Sequence, residues 1–307
     1  MINNNELETI SVLCAKYGAG FLKNAPLAAL TTFKIGGACD ILIKVNCREL
    51  LREIVLCCKN NNTPFYVIGK GSNILVRDEG VRGVVLLLAD DFADVRINND
   101  KRISCLAGAS LMAVCVLARN NSLTGFEFAY GIPGSVGGAV FMNAGAYDGE
   151  IADVLSGCEF LDEDCEIKTL ELEKEKFSHR KSPFTGTKKI VLSAEFLLED
   201  GEKMRITAKM DDFIARRRNK QPLEFPSAGS TFKRPEGDYA SRLIDICGLK
   251  GFSVGGAEVS EKHAGFIINK GGATCNDVLK LIEAVKERVL KETGITLERE
   301  VQIMQMS

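Results

Sequence analysis

Two glycine-rich stretches carry the residue types best suited to chemistry in this chain. The longer, Gly131–Tyr147, reads GIPGSVGGAVFMNAGAY, with glycine at 131, 134, 137, 138 and 145. Glycine tolerates positive φ and lets another group approach the backbone amides closely. Consecutive uncovered N–H groups form a concave anion site, and a helix start beside them adds positive partial charge. The pattern at Gly131, Gly134, Gly137 and Gly138 therefore predicts a cradle for a phosphate-bearing ligand. A tight turn packed under a helix is the competing reading. One or two glycines serve a turn, whereas four stand here in eight positions. The stretch is not a Rossmann fingerprint, because it lacks the G-x-G step and no apolar strand run leads into it.

The shorter stretch is Gly69-Lys-Gly-Ser-Asn-Ile-Leu-Val-Arg-Asp78. It starts G-x-G but has Ile74 where a Rossmann motif needs glycine, and Gly69-Lys70 lacks the Walker spacing. It reads as a second phosphate loop, with the Gly69 and Gly71 amides and the Ser72 and Asn73 side chains as donors. A plain strand-to-strand turn is the alternative.

The elements that must hold these loops follow from periodicity. Leu7–Tyr17 and Arg48–Asn60 have apolar residues at helical spacing. With strands at Asp40–Val45 and Phe65–Ile68, the latter after Pro64, they predict a small β–α–β lobe. Strands are expected at Gly83–Leu88, Val95–Asn98, Arg102–Ala107, Val154–Leu161, Glu166–Leu172 and Lys189–Leu198. Ser110 is placed to cap a helix to Asn120. A domain boundary is expected near Glu199–Gly201. Beyond it Met204–Arg218 reads as a helix, then a short helix around Tyr239–Ile246 and a strand at Ala264–Asn269. Thr274 and Asp277 form a capping box for an amphipathic helix that Gly294 ends. A final strand is expected at Leu297–Met304.

At 307 residues the chain has room for two domains. Its formal net charge of −2 gives no general attraction to nucleic acid or anionic membrane. No apolar run reaches membrane-spanning length. The eleven cysteines are irregularly spaced, without a C-x-x-C pair, and no signal peptide is apparent. They are expected to be reduced core residues of a cytoplasmic protein. Only His179 and His263 occur, which argues against a multi-histidine metal site.

TTFKIGG at Thr31–Gly37, GKGSN at Gly69–Asn73, GIPGSVGGAVFMNAGAYDG at Gly131–Gly149, the Arg180 loop, AGSTFKRP at Ala228–Pro235 and LEREV at Leu297–Val301 together resemble the UDP-N-acetylenolpyruvoylglucosamine reductase (MurB) family. The motifs stand in family order over nearly the whole chain. The resemblance implies an α+β fold: an FAD-binding domain of the vanillyl-alcohol-oxidase type over residues 1–200, in lobes of about 1–80 and 81–200, and an α+β substrate domain over 201–307. It implies reduction of an enolpyruvyl UDP-sugar in peptidoglycan synthesis, with FAD as cofactor and NADPH as electron source, by a monomer of the shorter subclass.

The same resemblance carries roles to individual positions. Arg180, Ser230 and Glu300 match the catalytic arginine, proton-donating serine and glutamate. Gly69, Lys70, Gly71, Ser72 and Asn73 match cofactor positions, as do Gly131, Pro133, Gly134, Ser135, Gly137, Gly138, Asn143 and Ala144. Lys220, Arg234, Lys262 and Asn269 match the substrate side. His179 stands where the family usually has tyrosine. The chemistry suits these types. An enol ether conjugated to a carboxylate accepts hydride only as negative charge spreads onto that carboxylate. An arginine supplies a fixed planar cation, and a buried, protonated glutamate donates a hydrogen bond. Without the resemblance, Arg180 reads as a surface loop residue, Ser230 as a turn former and Glu300 as an exposed strand residue. Two other readings compete: an oxidase of the same FAD-domain class, and a non-catalytic nucleotide-binding protein.

Overall fold

The computed structural model describes residues 2–98, 100–171 and 173–304. It divides into two compact units, each discontinuous in sequence. One comprises Met1–Lys23, Ile41–Lys70 and Gly83–Arg216. The other comprises Asn24–Asp40, Gly71–Arg82 and Arg217–Ser307. This division differs from the sequential one expected near Glu199–Gly201, because two early segments, the second carrying Gly71–Asn73, pack with the C-terminal residues.

The first unit has two apolar cores. In one, helices α1 (Asn4–Lys16) and α2 (Arg48–Asn60) bury Ile10, Cys14, Leu50, Leu51, Ile54 and Cys58. Asn3 caps α1, its Oδ1 accepting the Glu6 N–H at 2.9 Å. The expected β–α–β lobe takes a different order. In the four-stranded sheet Val81–Leu87 lies between Ala38–Lys44 and Phe65–Ile68, pairing in parallel with the latter, and Phe21–Pro26 forms the far edge.

The second core packs around an antiparallel five-stranded sheet, in the order Ile167–Glu171, Leu155–Leu161, Ile190–Leu197, Arg102–Leu106, Val95–Ile97. Leu172, the expected end of its edge strand, lies outside the described residues. Helix α3 (Leu111–Asn120) starts where predicted, with the Ser110 hydroxyl accepting the Ala113 N–H at 3.1 Å. Helix α4 (Val136–Met142) follows and ends at Asn143, whose φ of 43° is left-handed. Val154, the first residue of the expected Val154–Leu161 strand, instead ends a short helix α5, Ile151–Val154. Helix α6 spans Lys203–Lys220.

In the second unit α7 (Ala240–Ile246) and α8 (Cys275–Thr293) share a core with an antiparallel sheet ordered Ser227–Ser230, Phe266–Asn269, Ala257–Val259, Ser253–Val254. The capping box of α8 is present, and Gly294 ends the helix at a φ of 72°. The final strand is shorter than expected. Only Gln302–Met304 pairs, in parallel with Ile74–Val76. Glu298 and Glu300 thus lie outside any strand ladder, although the expected strand included both.

Candidate functional site

The glycine-rich loops separate into distinct physical roles. Ser135 bridges to Ser110, and α4 begins at the next residue. The Val136 N–H donates to the Ala109 carbonyl and the Gly137 N–H to the Ala107 carbonyl, each at 2.8 Å. Two amides of the expected helix start are therefore already taken. The amides of Gly134, Ser135 and Gly138 have no backbone acceptor among the described residues. Gly137 has a packing reason to be glycine, because a Cβ there would fall 2.8 Å from that of Ala107. Gly138 does not: it is exposed, and a Cβ would meet only the Ser135 hydroxyl, at 3.4 Å.

That hydroxyl also adjoins the second loop, where a Cβ at Gly69 would run into it. Gly69, Ser135 and Gly138 thus cluster within the first unit. Pro133 is exposed nearby in sequence, and exposed Lys70 reaches Asp90 at 3.7 Å. These open amides and the small residues around them fit the diphosphate of a dinucleotide such as FAD. Gly71 belongs to the other unit. There it takes a left-handed φ of 60° against the Leu30 carbonyl, and its own carbonyl accepts the Thr32 N–H at 3.2 Å. The plain-turn reading accounts for glycine at 71.

In the first unit Arg180 sits on a tight turn. Ser178 and Lys181 exchange both backbone hydrogen bonds, at 3.1 and 2.9 Å, leaving His179 and Arg180 at the tip. Arg180 is itself left-handed, at a φ of 58°. Its guanidinium donates to the Gly145 carbonyl at 3.0 Å. Fully buried Asn143 holds the turn, donating through Nδ2 to the Ser178 carbonyl at 3.1 Å and accepting the Ala152 N–H at 3.0 Å. Ala144 donates to the Ala139 carbonyl at 2.9 Å and accepts from Ile151 at 3.0 Å. The side chain of Asn143 and the backbone of Ala144, both expected at the cofactor, are thus engaged within the protein.

In the second unit the structure brings Asn73, Ser230 and Glu300 together. Ser230 ends a strand, where it pairs with Phe266; Gly229 before it has a φ of 77°. The expected turn is thus a strand end with a register shift. The next residue, Thr231, is the clamp. Its N–H donates to the Gly265 carbonyl at 2.8 Å, its hydroxyl accepts the Ile267 N–H at 3.1 Å, and its carbonyl accepts the Glu300 N–H at 2.8 Å. Thr231 is buried, Ser230 exposed and Glu300 half-buried. Asn73 donates to the Glu300 carbonyl at 3.3 Å and accepts the Gln302 N–H at 2.9 Å. Thr231 was not singled out from the sequence, although it stands inside the AGSTFKRP motif.

The substrate-side positions diverge. Buried Asn269 donates to the Phe33 carbonyl at 3.2 Å and accepts N–H groups from Gly271 and Ala273, so its side chain holds backbone together. The Arg234 guanidinium lies 4.0 Å from the centre of the Tyr239 ring. Lys220 is exposed at the end of α6. Lys262 donates to the Arg218 carbonyl at 2.9 Å and lines an open cavity of about 310 Å³ with Tyr239, Arg242, Lys250 and His263. Burial holds the His263 imidazole below its ordinary pKa, and its Nδ1 accepts the Gly265 N–H at 3.1 Å. Arg242 and Lys250 are paired with Asp238 and Asp245.

The family model for the FAD binding domain matches residues 39–171. That for the C-terminal domain of UDP-N-acetylenolpyruvoylglucosamine reductase matches residues 221–304. A protein of Clostridium botulinum named UDP-N-acetylenolpyruvoylglucosamine reductase is 50% identical over 282 residues, 92% of each chain. One of Clostridium beijerinckii with the same name is 51% identical over 271 residues, 88% of each. The crystal structure of the reductase of that name from Thermus caldophilus matches with a TM-score of 0.77 at 35% identity, covering 93% of this chain and 98% of that one. A berberine bridge enzyme variant at 13% identity, with a TM-score of 0.52 over 64% of this chain and 44% of that one, shares the fold alone. The fold is the expected one, α+β with an FAD-binding domain of the vanillyl-alcohol-oxidase type and a C-terminal α+β domain.

Proposed function

The chain belongs to the UDP-N-acetylenolpyruvoylglucosamine reductase family, and from that premise we propose that it reduces the enolpyruvyl group of UDP-N-acetylglucosamine enolpyruvate to the lactyl ether of UDP-N-acetylmuramate in peptidoglycan synthesis. NADPH is the electron source. We read the protein as a monomer working in the cytoplasm on small molecules, with no nucleic-acid or membrane partner.

The observation that carries the reading is the backbone link between the proposed acid and the proposed glutamate. Thr231, next to Ser230, accepts the Glu300 N–H at 2.8 Å, so two residues far apart in sequence are fixed beside each other. FAD, when bound, supplies hydride transfer between nicotinamide and substrate. The amides of Gly134, Ser135 and Gly138, with Gly69 and Lys70, are proposed to hold its diphosphate. Gly131, Pro133, Gly137 and the Gly71–Asn73 segment shape the loops that present them. Lys220, Arg234 and Lys262 are the cations proposed for the UDP-sugar, and Asn269 holds together the backbone of Phe33, Gly271 and Ala273.

Hydride addition to the terminal enol carbon leaves negative charge on the carbon bearing oxygen and on the carboxylate. Arg180 offers that charge a fixed cation with a planar donor fork. Glu300, when protonated, adds a hydrogen bond without repelling it. The exposed Ser230 hydroxyl gives its proton to the carbon. A serine is a weak acid, but an enolate is a strong base, so an aligned hydroxyl suffices.

The test is direct. Purified protein is expected to be yellow, to be bleached by NADPH, and to convert the enolpyruvyl sugar to a product heavier by two hydrogens. A colourless protein, or a bleached one that leaves the sugar unchanged, would overturn the proposal. Arg180→Lys keeps the charge and loses the fork, so turnover is expected to fall on the order of 10²-fold. Wild-type turnover in that variant would remove the proposed role.

A further inference from the structure

Asn143 stands in the middle of the glycine-rich stretch, where a polar side chain invites assignment as a ligand to cofactor phosphate. Its surroundings point elsewhere. The residue is wholly buried, and both ends of its side-chain amide are engaged by backbone. The Nδ2 group donates to the Ser178 carbonyl at 3.1 Å, and Oδ1 accepts the Ala152 N–H at 3.0 Å. Ser178 is the first residue of the turn that presents Arg180. The neighbouring Phe141 carbonyl, still within α4, accepts the Ser182 hydroxyl at 2.7 Å, just past the other end of that turn. The end of α4 therefore grips the Arg180 turn on both sides.

The backbone at Asn143 shows what this arrangement requires. Its φ of 43° is left-handed, a conformation that asparagine tolerates better than most residues. The reversal ends α4, with the Asn143 N–H donating to Val140 at 3.3 Å. Glycine would satisfy the backbone equally well, so the conformation alone does not require asparagine. The two side-chain hydrogen bonds do. One donor and one acceptor on a single short planar group are needed to join a carbonyl on one segment to an N–H on another. Aspartate would keep the acceptor but set a carboxylate against the Ser178 carbonyl.

We propose that Asn143 is a positioning residue for Arg180, coupling the end of the cofactor-cradle helix to the turn that carries the guanidinium. The inference rests on the reading of Arg180 as the cation that meets the developing carboxylate charge. A turn shifted by a fraction of an ångström would misplace that cation while leaving the amides of Gly134, Ser135 and Gly138 where they are.

The variants to compare are Asn143→Gly, which keeps the left-handed backbone and removes both side-chain bonds, Asn143→Asp, which keeps only the acceptor, Arg180→Ala, and the doubles. Each is purified with its flavin and followed by stopped-flow absorbance. Both Asn143 variants are expected to retain full flavin content and to bleach with NADPH at near the wild-type rate. Return of colour on adding the enolpyruvyl sugar is expected to slow on the order of 10–100-fold. In the Arg180→Ala background either Asn143 change is expected to add almost nothing, because both act through one group. Loss of flavin or a slowed NADPH step would make Asn143 a cofactor ligand and overturn the proposal, as would losses that multiply in the doubles. If one single variant fails to fold, the other carries the comparison. Failure of the underlying reading is separately visible: Arg180→Ala alone would then leave the sugar step unchanged.

Discussion

Ser230 is the residue on which the proposed reaction depends most directly, and its exposure beside buried Thr231 makes a clean test possible. Removing its hydroxyl disturbs none of the three hydrogen bonds that Thr231 makes. Ser230→Ala is expected to bleach normally with NADPH and to regain colour about 10²–10⁴-fold more slowly with the enolpyruvyl sugar. Normal return of colour would remove Ser230 as the acid, and a loss confined to NADPH bleaching would assign it to the nicotinamide step. Glu127 offers a stability test in the first unit. Its buried carboxyl accepts from the Thr124 hydroxyl at 2.6 Å and the Gly125 N–H at 3.1 Å, and Lys209 lies 3.3 Å away. Burial alone would raise its pKa, but those donors outweigh burial and hold it below the usual carboxylate value. The stabilisation is therefore present above the unfolded value of about 4.3 and lost as pH falls through the lower folded one. Glu127→Gln is expected to cost about 1–3 kcal/mol at pH 7, with the gap closing in denaturant titrations at acid pH. A gap independent of pH would contradict the ionised role.

Among the elements, α4 joins the most threads. Its first turn lies against Ala107 and Ala109, just past the strand Arg102–Leu106, its exposed Gly138 faces the Gly69 side, and its end grips the Arg180 turn. Gly71 and Gly137 are poor places to test cofactor binding, because a side chain at either meets the protein first. Gly138 is the better probe, since a Cβ there has room. Gly138→Val is expected to keep the circular dichroism of the wild type while losing most of its flavin. A variant with full flavin occupancy would show that the Gly138 amide does not meet the diphosphate. The helices themselves were legible because capping and periodicity are local. α2 spans Arg48–Asn60 as expected, and Ser110 and Thr274 cap where predicted. Strand limits were less legible at 297–301, where apolar Leu297 and Val301 flank three charged residues and, among the described residues, only Arg299 makes an isolated bridge.

Across the whole molecule the eleven cysteines behave as core residues. All are free thiols, and ten are buried, Cys47 being the half-buried exception. Burial pushes the thiols of Cys58, Cys105 and Cys158 up to about 12. Since the thiolate is the reactive form, a thiol reagent at pH 8 is expected to modify Cys47 alone in the native protein and all eleven after unfolding. Rapid native modification of several cysteines would show that these cores open readily. No described helix is long and apolar enough to cross a membrane.

The local and the chemical parts of this protein follow from residue order. Capping residues, helical spacing and glycine clusters act between neighbours, so they can be read without a fold. The motifs likewise placed the chain in its family residue by residue. What distant segments do to one another was settled by the fold. It joined residues 71–82 to the C-terminal unit, set Thr231 between Ser230 and Glu300, and gave both ends of the Asn143 amide to protein partners. Those outcomes depend on which unsatisfied backbone groups meet once the cores have packed. A buried donor or acceptor must find a partner, and the linear order of residues does not say which one comes within reach.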